Sequence, residues 1–145
     1  MITDSHAHIF WDSFDTDRAQ VLERARAAGV ERMILVGTNV ATSQAAFELA
    51  ATERGLFPTA GIHPHDASDS TLDARRAIEA LCRRDDCVGV GETGLDFFKN
   101  FSPRDAQLEN FRWHLALARA LTLPIVVHSR DAQADTVELL REQRG

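Results

Sequence analysis

The chain has little cysteine, no long apolar run and no excess of basic residues, and each absence excludes something. Cys82 and Cys87 are its only two cysteines. That is too few for a disulfide scaffold, and their spacing matches no standard zinc pattern. The pair reads as ordinary buried thiols. No run of about 18 apolar residues occurs, so no membrane-spanning helix is expected. The opening Met1-Ile2-Thr3-Asp4-Ser5-His6 lacks a basic region followed by an apolar core. A secretory signal is therefore not expected, and a cytoplasmic location is. Lys and Arg number 16 against 22 Asp and Glu, a net charge of −6. A protein that grips duplex DNA through a broad basic face shows the opposite balance. Any nucleic-acid partner is then held locally, by a few cations or by bound metal. No linker, low-complexity tract, like-charge block or internal repeat breaks the chain.

What is present suits one compact domain over residues 1–145. With 44% apolar residues in 145, wholesale disorder is excluded and a sizeable core can form. Short apolar runs alternate with helical stretches: Ile2 to Phe10, Met33 to Gly37, Leu56 to Ile62, Val88 to Gly91 and Leu123 to Val127. This rhythm predicts five consecutive βα units around a parallel sheet. Val21, Leu22, Ala25 and Ala28 mark one face of the first helix. Ala74, Ile78, Leu81 and Cys82 mark the third, and Leu108, Phe111, Leu115 and Ala118 the fourth. Ser102 and Pro103 read as N-cap and first residue of that fourth helix, with Asp105 in its first turn. Gly29 and Gly55 fall just past their helices, where a left-handed residue is wanted. Strand-to-helix links are long and polar, helix-to-strand links short. In parallel α/β proteins the strand C-terminal ends form the active face, so the chemistry is sought there.

His6 and His8 are two apart in a predicted strand, which points both imidazoles to one face. The pair suits two ligands on one metal, and equally a half-exposed polar edge. Glu92 follows Val88-Gly89-Val90-Gly91 and is a candidate ligand able to bridge two ions, or a solvated loop carboxylate. His128 ends the fifth run. Four donors at one end of successive strands are what a catalytic metal site requires. His63 faces the same end and can contact substrate or shuttle a proton; His65 and Asp66 lie further out, with structural roles equally open. Arg130 can grip an anion through its planar fork or form a surface ion pair. Lys99 and Arg104 are weaker candidates of that kind. His114, inside the fourth helix, reads as a surface or packing residue. Phe10, Trp11 and Phe14, and likewise Phe97, Phe98 and Phe101, either wall a cleft, stack on a base or pack.

Four segments carry a family resemblance: Asp4-Ser5-His6-Ala7-His8, Gly61-Ile62-His63-Pro64-His65-Asp66, Gly91 to Phe97, and Leu123 to Ala132. In this order they resemble the TatD family of metal-dependent deoxyribonucleases, and Gly37-Thr38-Asn39 with Ser43-Gln44 fits as well. The resemblance implies a TIM-type (β/α)8 barrel of the metal-dependent hydrolase kind. It also implies hydrolysis of DNA phosphodiesters from 3′ ends, as a 3′-5′ exonuclease on single strands. His6, His8, Glu92 and His128 then match metal ligands for a pair of magnesium, manganese or zinc ions. His63, Glu92 and Arg130 become the catalytic set, with His63 the substrate-contacting histidine. The family's later His in a sixth strand and its Asp after an eighth have no counterpart. The expectation is an incomplete barrel, the N-terminal part of a longer enzyme, able to self-associate through its open sheet edge. Two rival readings stand beside this one: a related hydrolase of another ester or amide, and an inactive fragment.

Overall fold

A computed structural model describes residues 2–142 of the chain. Strands β1 (Ile2–Ala7), β2 (Val30–Val36), β3 (Leu56–Ala60), β4 (Gly89–Asp96) and β5 (Ile125–Arg130) alternate with helices α1 (Arg18–Ala27), α2 (Val40–Thr52), α3 (Leu72–Cys82), α4 (Arg104–Leu121) and α5 (Gln133–Glu142). Short 3-10 turns follow β1 at Asp12–Phe14 and β3 at Pro64–Asp69. The strands lie in the order β1-β2-β3-β4-β5, every pair parallel. The predicted five βα units are thus present, curled as a half-barrel. Residues 1 and 143–145 lie outside the described residues.

Burial explains the sheet. Leu35 and Val36 in β2, Ala60 in β3 and Val90 in β4 are fully buried, as a parallel sheet flanked by helices requires. Three apolar clusters sit between helices and sheet. Leu22, Met33, Leu35 and Ala46 hold α1 and α2 on β2; Phe47, Ile62, Ile78 and Val90 hold α2 and α3; Leu95, Phe111, Leu115 and Leu139 hold α4 and α5. Cys82 and Cys87 are free and buried in the second of these. Among the described residues no helix is long and apolar enough to cross a membrane.

The structure corrects several boundaries. β1 stops at Ala7, because the Arg18 guanidinium binds the carbonyls of Ile9, Phe10 and Trp11 and bends that segment into a turn. β4 runs on to Asp96, with every residue buried. Ser102 does not cap α4. The helix begins at Arg104 behind Pro103, with no side-chain cap. The Ser102 hydroxyl instead donates to the His65 carbonyl (2.7 Å) and accepts from the Ser68 amide (3.0 Å), tying the 3-10 turn to the start of α4. Gly29 and Gly55 adopt the positive φ read for them, 90° and 80°.

Candidate metal centre

The end of β2 contributes backbone rather than side chains. The Glu92 amide donates to the Gly37 carbonyl at 2.7 Å, and the His63 amide to the Thr38 carbonyl at 2.8 Å. The next residue, Asn39, caps α2 in a reciprocal box with Thr42 (2.9 and 2.8 Å) and donates its amide group to Asp66 at 3.0 Å. The segment Gly37-Thr38-Asn39 therefore fixes where Glu92 and His63 stand.

Glu92 is at the centre, 8% exposed. Its Oε2 lies 3.3 Å from His6 Nε2, while its Oε1 lies 3.2 Å from His128 Nδ1 and 4.0 Å from His63 Nε2. Burial pushes this carboxyl upward. The hydrogen bond from His128 and the charges of His63, His6 and His128 outweigh it and hold Glu92 below the usual range. His6 and His8 meet Nε2 to Nε2 at 3.2 Å. His8 donates Nδ1–H to the Val36 carbonyl at 2.8 Å, which leaves its Nε2 lone pair facing the site. Burial, then the charge of His6, lowers the His8 pKa. The ligand atoms of His6, His8 and Glu92 lie within 4.8 Å of one another, and so do those of His63, Glu92 and His128.

His63 accepts the His65 amide on Nδ1 at 3.1 Å, so its neutral ring carries the proton on Nε2, toward Glu92. Burial lowers its pKa to about 4. His128 is the opposite case. Its Nδ1 meets Glu92 and its Nε2 meets Asp96 Oδ2 at 3.0 Å, and these bonds raise its pKa against the pull of burial. Asp96, 1% exposed, also takes His65 Nε2 on Oδ2 at 2.9 Å and the amides of Phe98 and Lys99 on Oδ1 at 3.1 and 2.8 Å. Burial would raise the Asp96 carboxyl, yet the Lys99 amide and the two imidazoles hold it at about 2.

All four predicted ligands and His63 therefore converge. Arg130 does not touch them: its guanidinium sits 3.9 Å over the Phe98 ring, and no carboxylate among the described residues pairs with it. Arg104 is occupied by Asp135 and by the Phe97 ring at 4.2 Å. Phe10 is core, whereas Trp11 is 43% exposed and stacks on His8 at 4.4 Å, 5° from parallel. His114 is fully buried and packs, as a core residue rather than a surface one. Sequence reasoning missed Asp96 and the His65 bond to it. The available signal was alternation: Glu92 and Asp96 are four apart, on one face if the strand continues.

Imidazoles and carboxylates gathered at the C-terminal ends of parallel strands, with helices outside, are the arrangement of a candidate metal centre on a βα-barrel scaffold, of which five βα units are present. The family model for TatD related DNase matches residues 3–145, and the chain belongs to that family. It is 40% identical over 143 residues to the uncharacterized metal-dependent hydrolase YabD of Bacillus subtilis, covering 99% of this chain and 56% of that protein. It is 44% identical over 128 residues to the 3′-5′ ssDNA/RNA exonuclease TatD of Klebsiella pneumoniae, covering 88% and 49%. The crystal structure of YJJV, a TatD homolog from Escherichia coli, superposes with a TM-score of 0.91 at 26% identity over 98% of this chain and 56% of that one. The chain thus spans about half the length of the curated relatives it matches.

Proposed function

We propose that this chain acts in metal-dependent hydrolysis of DNA phosphodiesters, as a 3′-5′ exonuclease on single strands, its 145 residues forming part of one TatD-type domain. The observation that carries the reading is the Glu92 carboxylate, which turns one oxygen to His6 and the other to His128. In this reading His6 and His8 with Glu92 would hold one divalent ion, and His128 with Glu92 would hold a second. The donor set fits: His8 is oriented by a carbonyl on its far nitrogen, and Glu92 with Asp96 raises His128, so positive charge is favoured between the two carboxylates. Imidazoles favour zinc or manganese, carboxylates and phosphate oxygens magnesium. Bound ions would supply Lewis acidity, easing deprotonation of water and offsetting charge on the phosphate. They, rather than a basic surface, would also attract an acidic substrate to a chain of net charge −6.

The chain's own groups have separate roles in this reading. Neutral His63 offers Nε2–H to a phosphate oxygen. Glu92 stays ionised and joins the two donor groups. Arg130, which rests on Phe98 and pairs with no carboxylate among the described residues, offers its guanidinium fork to a phosphate further along the strand. Self-association belongs to the same proposal: β1 and β5 each pair with one strand only among the described residues.

The test is degradation of a 5′-labelled single-stranded oligonucleotide with manganese or magnesium, at several protein concentrations. Stepwise loss from the 3′ end that chelator and Glu92→Ala abolish is the expected result. A rate per chain that rises with concentration supports a self-associated active form. No loss with folded, metal-loaded chain overturns the reading for this polypeptide.

A further inference from the structure

Two exposed phenyl rings stand one residue away from the donor cluster and belong to none of the three apolar cores. Phe98 and Phe101, in the segment between β4 and α4, are 55% and 68% exposed. Cations surround them. Arg130 lies 3.9 Å over the Phe98 ring, and Lys99 Nζ is 5.8 Å from Phe98 and 5.9 Å from Phe101. Buried Asp96, two residues before Phe98, is met by two imidazoles and two backbone amides, which offset its charge. On a chain of net charge −6, two cations thus flank two exposed rings, with the Arg130 guanidinium on one face of Phe98.

The patch is coupled to the site by direct contact. Phe101 meets the His65 ring at 4.8 Å, His65 Nε2 meets Asp96 Oδ2 at 2.9 Å, and the same oxygen meets His128 Nε2 at 3.0 Å. A strand whose phosphate reached Glu92 and His128 would carry its neighbouring nucleotides over Phe101 and Phe98.

We infer that Phe98, Phe101, Lys99 and Arg130 form a stacking platform for unpaired bases of the substrate strand, with the two cations meeting the phosphates between stacked bases. The inference rests on the hydrolase reading above and names the substrate subsite within it. Aromatic faces stack on any base, and a base inside a duplex has its faces covered, so the platform selects single strands without selecting sequence.

Binding, separated from cleavage, tests this. The probe is a fluorescent phosphorothioate oligothymidylate of about ten nucleotides, in magnesium, beside an abasic strand of equal length and backbone. Fluorescence anisotropy is expected to show binding weakened about tenfold or more in Phe98→Ala/Phe101→Ala. Phe101→Trp should restore it in the Phe98→Ala background. On the abasic strand the double variant and the native chain should bind equally, a pattern that a merely structural role does not give. Equal binding of the base-bearing strand by both proteins overturns the platform, as does an equal loss on both strands. Loss of self-association with unchanged oligonucleotide binding overturns it too, and makes the patch a protein contact. The two readings fail separately. Phenyl-dependent binding without metal-dependent cleavage leaves the platform standing and sinks the hydrolase; cleavage without phenyl-dependent binding does the reverse.

Discussion

Asp96 binds nothing outside the protein in this account, yet it decides how His128 is presented. Its Oδ2 receives both His65 and His128, and its Oδ1 two backbone amides. A carboxylate behind a metal-ligating imidazole fixes the ring and raises its basicity, and removing such a partner typically costs about 10- to 100-fold in metal affinity. Asp96→Asn is therefore expected to weaken manganese or zinc binding by about that factor in calorimetric titration, with little change in the folded structure. Unaltered affinity would show that Asp96 serves only the loop. The convergence of His6, His8, Glu92 and His128 was legible in the sequence, because donor side chains and strand-end position coincide in them. Asp96 was not, since the apolar run Val88-Gly89-Val90-Gly91 stops five residues before it while the strand itself continues. Arg130 was legible as a cation on the active face but not by direction: its contact with Phe98 depends on the β4–α4 segment folding back.

At the scale of elements, α4 carries a second stripe that apolar periodicity does not reveal. Gln107, Asn110 and His114 are all fully buried. Gln107 exchanges bonds with the Asp96 amide (2.8 Å) and carbonyl (3.1 Å), and Asn110 donates to the Ile62 carbonyl at 2.8 Å. His114 accepts the Ile62 amide on Nε2 at 3.0 Å and donates Nδ1–H to the Asn110 carbonyl at 2.8 Å. The helix thus grips the chain beside His63 and at Asp96, the two points from which the site is hung. Positions 108, 111, 115 and 118 are readable as core from their apolar spacing; the polar side chains at 107, 110 and 114 carry no such signal, because what buries them is bonding to backbone groups of β4, of Ile62 and of α4 itself. β4 was read short for a related reason. Its glycines have poor strand propensity, yet Gly91 and Gly94, at φ 131° and 135°, stand where a Cβ would strike the carbonyls of Val126 and His128.

His114 makes a pH prediction. Burial lowers its pKa from 6.5 to about 4. A folded value below the unfolded one means that the unfolded chain binds the proton first. The His114 contribution is then complete above pH 6.5 and declines as pH falls from there toward 4. The decline is on the order of 3 kcal/mol. Urea unfolding at pH 7.5 and 5 should show a smaller stability difference in His114→Gln than in the native chain, since His63, which also falls to about 4, acts equally in both. The same difference in both proteins would mean that His114 is not held neutral by its burial.

For the whole molecule, the order of the five βα units and their parallel pairing followed from sequence alone. Strands covered on both faces must be nearly continuous apolar runs, and helices must show one apolar stripe. What sequence could not give was closure of distance. His6 and His128 lie on the outermost strands β1 and β5, yet both reach the same Glu92 carboxylate, at 3.3 and 3.2 Å. Only the curl of the sheet brings them there. The consequence is a site assembled across the sheet, with β2 and the residues after it supplying the carbonyls of Val36, Gly37 and Thr38, the turn after β3 supplying His63, and β4 supplying Glu92.

Manganese titration of the intact chain, followed by electron paramagnetic resonance and calorimetry, tests this assembly most directly. Two bound ions per chain are expected, one on His6, His8 and Glu92 and one on His128 and Glu92, with spectra showing that they interact. Glu92→Gln should weaken both by about two orders of magnitude or more, beyond the effect of losing an outer partner. A chain that binds one ion or none, or that binds equally well after Glu92→Gln, would contradict it.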